Sequence, residues 1–309
     1  MPFDIPVFEP AEPAPVVPAG LPLVVLLTGF TDAGSAVSQT VSYLRDELTH
    51  AMVRRYENDV LLDYRARRPL ISFESDHLTD YRPPRLELTL TRDALGQPFL
   101  VLAGYEPDFA WDSFVASVAE FVQSAAVSSV TWVHAIGMPV PHTRPLGATV
   151  SGNRTSLAED HSVWKPHTQV PATAGHLLEY RLAEAGVAVA GFVLLIPHYL
   201  GDTEYPGAAI AALDSITAGT GLVFGIDSLR DDNEEFLGKV SEQIAASDEL
   251  ERMLHGLEER YDSYMAGSTQ ATALLHEADL PSADEIAAEL ERFLANRGHG
   301  DEERPGPLA

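Results

Sequence analysis

Cysteine is absent from the 309 residues, which excludes disulfides, thiol catalysis and thiolate metal sites together. Positive charge is scarce as well: 20 Lys and Arg face 46 Asp and Glu, for a net charge of −26. So acidic a chain repels phosphate backbones, which argues against nucleic acid and anionic membranes as partners and for solubility. Long apolar runs are missing too; those present, such as Val187–Ile196, are far too short to cross a bilayer. Met1–Gly20 is rich in proline and acids and lacks both a basic n-region and an apolar core, so no signal peptide is expected. The expectation from these absences is a cytoplasmic protein.

Catalytic motifs are equally sparse. There is no Gly-x-Ser-x-Gly, no His-Glu-x-x-His and no phosphate loop ending in Gly-Lys-Ser/Thr. No metal and no cofactor are therefore expected.

What the chain does contain is apolar material, 45% of its residues, enough for one large core or a domain with an appendage. Leu23–Thr28 is an apolar run of strand length. It leads through Gly29-Phe30-Thr31-Asp32-Ala33-Gly34 into Ser35–Leu48, which has helical spacing, so a βαβ unit opens here. Strands are predicted at Val53–Glu57, Arg85–Thr91, Phe99–Ala103, Ser129–Ile136 and Val187–Ile196, with a hairpin turn near Gly96. Helices are predicted at Trp111–Ala126, Ala172–Ala185 and Pro206–Ala218, while two proline breaks make Asp59–Pro84 mostly loop. Alternating strands and helices imply an α/β fold, a mostly parallel sheet sandwiched by helices. The tail differs in character: from Asp231 onward there are 20 acids and 6 bases. Apolar steps at Leu237, Val240 and Ile244, then at Leu250, Leu254, Leu257 and Tyr261, predict two amphipathic helices with Ser247 capping the second. A linker follows, then a short helix at Ala283–Asn296 opened by Ser282 and Glu285, and a frayed end. The expected division is a loose arm over 1–20, an α/β domain over 21–230, a helical extension over 231–265, and the linker, helix and tail over 266–309.

Several strand ends carry chemistry at the edge where open α/β sheets bind ligands. Asp32 either caps the helix that follows or touches a polar ligand. Glu106, after the next strand, is a general base, a hydroxyl acceptor or an arginine partner. Pro141-His142-Thr143-Arg144-Pro145 fixes a histidine suited to proton transfer. Its arginine can fork onto a carboxylate, whether a ligand's or that of Glu106. His198, in Pro197-His198-Tyr199, ends the last central strand. Asp32, Glu106, His142, Arg144 and His198 are thus the candidate ligand-binding residues, a set that suits hydrolysis or phosphorolysis but lacks a recognisable nucleophile.

The turn Gly29–Gly34, Asp63-Tyr64 with Arg68-Pro69, and Glu106-Pro107 with Trp111 resemble motifs of the proteasome assembly chaperone 2 family. So do the Pro141–Pro145 loop and Pro197-His198-Tyr199; the likeness covers roughly Leu21 to Leu229. It implies a phosphorylase/hydrolase-like α/β sandwich, usually in homo-oligomers, with a trimer expected here. Eukaryotic relatives help assemble proteasome rings, and the acidic helical tail is similar to that of actinobacterial members. Some archaeal relatives dock onto proteasomes through a C-terminal hydrophobic-tyrosine-x tripeptide; this sequence ends Pro307-Leu308-Ala309, so docking by that route is not expected. Where the family has a Gly-Pro-Thr-Gly-like turn, this chain has Pro171-Ala172-Thr173-Ala174-Gly175. The expected function is a non-catalytic, oligomeric binding or assembly protein, with a protein or a small polar ligand as further partner. The alternative is a hydrolase or phosphorylase-like enzyme acting on a small polar metabolite at the strand ends.

Overall fold

A computed structural model of the chain describes residues 8–267 apart from Glu12 and Ala14. The linker, the helix expected at 283–296 and the tail lie outside the described residues. By contact the chain forms two units, Met1–Tyr261 and Asp262–Ala309.

The chain opens with β1 (Phe8–Pro10), β2 (Pro22–Thr28), α1 (Ala36–Glu47), β3 (His50–Tyr56) and the one-turn helix α2 (Asn58–Leu61). A hairpin of β4 (Leu70–Glu74) and β5 (His77–Arg82) follows, then β6 (Leu86–Arg92), β7 (Pro98–Tyr105), α3 (Trp111–Ser124) and β8 (Ser129–Met138). β9 (Gly147–Gly152), α4 (Thr155–His161), α5 (Ala174–Glu184), β10 (Val189–Pro197), α6 (Pro206–Thr220), α7 (Asp227–Ala245) and α8 (Asp248–Gly267) complete the order.

Eight strands make one sheet in the order β1-β3-β6-β7-β2-β8-β10-β9. Its centre is parallel: β2 pairs with β7 and β8, and β10 with β8, all in one direction. The flanking pairs β1/β3, β3/β6, β6/β7 and β9/β10 are antiparallel, so β2, β3, β7, β8 and β10 point one way.

Side chains alternate across the strands with period two, and both faces are apolar in the centre. Val24 and Leu26 of β2, Phe99 and Val101 of β7 and Phe192 and Leu194 of β10 enter a core with α1, α6 and part of α7. Leu23 and Val25, with Leu100, Leu102, Val130 and Trp132, enter the opposite core against α3 and α5. The sandwich predicted from the sequence is therefore present, with Pro206 in the first turn of α6 as expected.

Tight packing sets the strand-to-helix turn after β2. Gly34 has φ +65, and a Cβ there would lie 3.0 Å from Ala208 Cβ. Its N–H donates to the Gly201 carbonyl at 2.7 Å and its carbonyl accepts from Tyr205, so the turn is tied to the loop before α6.

The structure corrects the local reading in four places. Asp59–Pro84, expected as mostly loop, contains most of α2 and the β4–β5 hairpin; Pro69 before β4 and Pro83-Pro84 after β5 bracket the strands instead of interrupting them. β9 and α4 carry little periodic signal, because a short edge strand and a seven-residue helix leave few positions to read. Phe8–Pro10, within the arm expected to be loose, pairs with β3, where Arg54 stacks over Phe8 at 4.1 Å. α7 starts at Asp227, ahead of the extension expected from 231, and Phe236, Leu237 and Val240 pack on the core, with Phe236 stacked on Tyr205 at 5.4 Å.

The core makes a direct stability prediction. Phe192 is 1% exposed at the centre of one face, so Phe192→Ala should cost about 3–5 kcal/mol in urea unfolding. A loss below about 1 kcal/mol would contradict the packing described.

Candidate functional site

β2 is the point where the strand order reverses: from β2 the chain crosses to β3, returns inward through β6 to β7 beside β2, and reaches β8 on the other side only through α3. A crevice lies there at the carboxyl ends of β2, β7 and β8. Glu106 follows β7 immediately, and its N–H donates to the Thr28 carbonyl at 2.6 Å. Its side chain is buried, and Oε1 accepts from the N–H of Ala174, the first residue of α5, at 2.5 Å. Only glycine fits behind it, since a Cβ on Gly29 would lie 2.6 Å from Glu106 Oε2. A carboxylate at a helix N-terminus complements the helix dipole, so Glu106 is held by α5 and holds it.

Two histidines complete this wall. Thr31 donates its hydroxyl proton to the Ala135 carbonyl at 3.0 Å, and His134 Nε2 lies 3.1 Å from the same oxygen. The hydroxyl therefore accepts from Nε2–H, which leaves Nδ1 of a neutral ring unprotonated. His176 closes a capping box: the Thr173 N–H donates to its Nδ1 at 3.1 Å, while Thr173 Oγ1 accepts from the His176 N–H. An Nδ1 that accepts a backbone proton also fixes a neutral ring. Burial pushes His134 from 6.5 to about 4, with neighbouring His176 adding to the effect. His176 is lowered by burial as well, against an upward pull from Glu179 and Glu106. Trp132 stands edge-on to His176 at 4.9 Å and donates to Glu179 Oε2 at 2.6 Å, which also accepts from Ser151 at 2.8 Å.

The space left beside these groups is small. The crevice between Glu106, His134, Thr173, Trp132, Val25 and Leu27 has a volume of about 10 Å³, at the lower limit for one water. As it stands, the arrangement is a satisfied polar network of one carboxylate and two neutral imidazoles. Among the described residues no group of His, Asp and Glu could hold a metal ion.

The five residues singled out from the sequence all lie near strand ends but serve separate contacts. Asp32 caps α1, accepting from the N–H groups of Val37 at 2.7 Å and Ser38 at 2.9 Å. Glu106 caps α5. His142 and Tyr199 form a closed pair: the His142 N–H donates to the tyrosine oxygen at 2.8 Å, and the tyrosine hydroxyl lies 2.7 Å from Nδ1. That circuit needs a neutral His142, which burial favours by lowering its pKa, and burial pushes Tyr199 up to about 12. Arg144 meets Glu258 of α8 at 3.3 Å, not Glu106, and Thr143 donates to the same carboxylate at 2.5 Å. Tyr261 donates to the Pro145 carbonyl at 3.2 Å, so the proline-bounded loop is seated against α8. His198 begins a 3₁₀ turn edge-on to Tyr199 at 5.4 Å, its pKa lowered by burial.

The sequence model of the PAC2 family matches residues 26–244. The chain belongs to the PAC2 family. A protein of unknown function from Corynebacterium glutamicum, of known structure, is 35% identical with a TM-score of 0.81. The match covers 84% of this chain and 98% of that one. A Mycobacterium tuberculosis protein of unknown function is 37% identical with a TM-score of 0.80, covering 87% of this chain and 92% of that chain. A second M. tuberculosis protein, a proteasome-assembly chaperone homologue, shares the fold at 20% identity, with a TM-score of 0.69 and coverage of 76% and 100%. No curated protein matches.

Sequence reasoning missed Thr31, His134, His176 and Glu179 of this PAC2 site. His134 lies inside an apolar strand and reads as a core residue. His176 had a usable signal, because Thr173-x-x-His176 has the spacing of a capping box.

The neutral histidines set a pH dependence. A folded pKa below the unfolded one gives stability that is present above about pH 6.5 and is lost as pH falls toward the folded value. For His134 the loss should reach about 3 kcal/mol between 6.5 and about 4. Urea unfolding at a series of pH values should show this slope, and His134→Gln should remove that share of it. An unchanged slope in the variant would contradict the buried neutral assignment.

Proposed function

We propose that this PAC2 protein is a non-catalytic, oligomeric binding or assembly protein of the cytoplasm, working as a trimer that presents its outer surfaces to a protein partner. The observation that carries this reading is the β4–β5 hairpin. It is a two-stranded sheet of its own, and Leu70 and Phe73 are each 71% exposed, with Ile71, Leu78 and Tyr81 exposed beside them. A lone two-stranded hairpin is marginal in water, and an apolar patch of this kind is the signature of a contact surface.

Its charge argues for a second copy of the chain as the occupant. Residues 65–82 carry four arginines and three acids on a protein of net charge −26. A basic, apolar arm complements the acidic body of a neighbour, and an arm reaching a different surface of the next copy closes into a ring. The assembly role is supported by family membership and by the fold shared with the proteasome-assembly chaperone homologue of M. tuberculosis. The filled crevice agrees with it, since Glu106 is occupied by the α5 amide.

A hydrolase or phosphorylase-like reading draws on Glu106, His134 and His176 lying at strand ends, but it requires α5 to move before a substrate fits. Native mass spectrometry on the parent and on a Leu70→Ser, Phe73→Ser, Leu78→Ser variant decides the matter. The parent should be a trimer, and the variant a folded monomer by circular dichroism. A monomeric parent, or a variant that keeps the parent's copy number, would overturn the proposal.

A further inference from the structure

A second cavity lies on the other side of the sheet, away from the crevice and its histidines. On the α1 face, β6 presents Glu87, Thr89 and Thr91, while its Leu86 and Leu88 enter the opposite core. Between α1 and this polar strip is a cavity of about 60 Å³. Val41 and Leu44 of α1 form one wall, and Val101 and Ala103 of β7 form part of the floor. Arg45, His50 and Arg85 stand at its rim. The cavity thus has an apolar side on α1 and β7, a polar side on β6, and exposed basic residues at its edge.

The charges here are arranged differently from those elsewhere in the molecule. Glu87 is nearly buried, and its carboxylate is already met by Arg55 at 3.3 Å. The guanidinium groups of Arg45 and Arg85 have no ion pair or hydrogen bond among the described residues. Two arginines without ion pairs thus line one cavity of a chain of net charge −26, and the only carboxylate in that lining, Glu87, is already paired with Arg55. Thr91 is 1% exposed, and its hydroxyl oxygen lies 3.2 Å from that of Thr89, so paired hydroxyls line the floor.

We propose that this groove binds a small organic acid, a dicarboxylate or hydroxy-carboxylate of short carbon chain. A guanidinium takes a carboxylate through two parallel hydrogen bonds, so Arg45 and Arg85 each hold one acidic group. The carbon chain lies against Val41, Leu44 and Val101, and a hydroxyl on the acid meets Thr89 and Thr91. Inorganic phosphate has no apolar part to meet the wall; the cavity of about 60 Å³ takes only part of a short acid, whose carboxylates stay outside at the exposed Arg45 and Arg85, and a nucleotide or a peptide would lie almost wholly outside it. The site is independent of the oligomer proposed above, because none of its residues belongs to the β4–β5 hairpin.

The test is isothermal titration of the full chain with succinate, L-malate and citrate, with inorganic phosphate as comparison. At least one acid should give saturable binding, tighter than phosphate by about tenfold or more. Arg45→Gln and Arg85→Gln should each weaken it by about tenfold, and Thr91→Val should narrow any preference for malate over succinate. Both arginines are exposed, so these variants should keep the parent's fold and copy number. No saturable heat from the three acids up to about 10 mM would overturn the proposal. So would binding left unchanged by both arginine variants, or phosphate binding as tightly as the acids.

Discussion

Glu106 leaves β7 at the point where the sheet reverses its order, and its carboxylate accepts the first amide proton of α5 from behind Gly29. Three elements are joined by that contact. The Glu106 N–H ties the end of β7 to the end of β2, its side chain ties both to α5, and α5 brings Thr173 and His176 over β8. A buried carboxylate without such a partner would be costly, so the helix start and the acid require each other. The neutral His134 and His176 follow from the same closure, because excluding water from the crevice is what lowers their pKa values. The strand-end edge that many α/β proteins keep open for ligands is here filled from within.

Closure of the centre shifts attention to the outside. Four of its arginines lie between 65 and 82, around the β4–β5 hairpin, and two more, Arg45 and Arg85, line the cavity between α1 and β6. Arginine is suited to both settings, since its planar group pairs with carboxylates and stacks on rings. Arg67 shows this within one chain, pairing with Asp108 and lying 5.5 Å over the Tyr105 ring. At the opposite end of the sheet edge, Glu258 draws Thr143 and Arg144 onto α8 and so fixes the loop between Pro141 and Pro145.

Much of this frame is legible in the sequence. Leu23–Thr28 reads as a buried strand because both its faces enter cores, and Pro206 marks the start of α6 because the first turn needs no proline N–H. Asp32 follows a strand and precedes a helix, which is where a cap belongs. The hairpin is obscured by Pro69 and Pro83-Pro84 at its borders and by exposed apolar residues. Arg144 could be read as seeking a carboxylate, but Glu258 is 114 residues away, and only folding brings that acid to it. Glu106 was singled out as chemistry on the strength of its place. Its actual partner is a backbone amide, which carries no mark in sequence.

Amide hydrogen exchange at Ala174 tests most directly whether the centre is closed. In the parent protein at neutral pH this amide should be protected to about the same degree as those in the middle of α5, although first-turn amides of a helix ordinarily exchange fast. In Glu106→Ala the protection at Ala174 should be lost while that at Leu178 is largely kept. Fast exchange at Ala174 in the parent would mean that the carboxylate does not hold the helix, and the strand-end edge would have to be regarded as an open site.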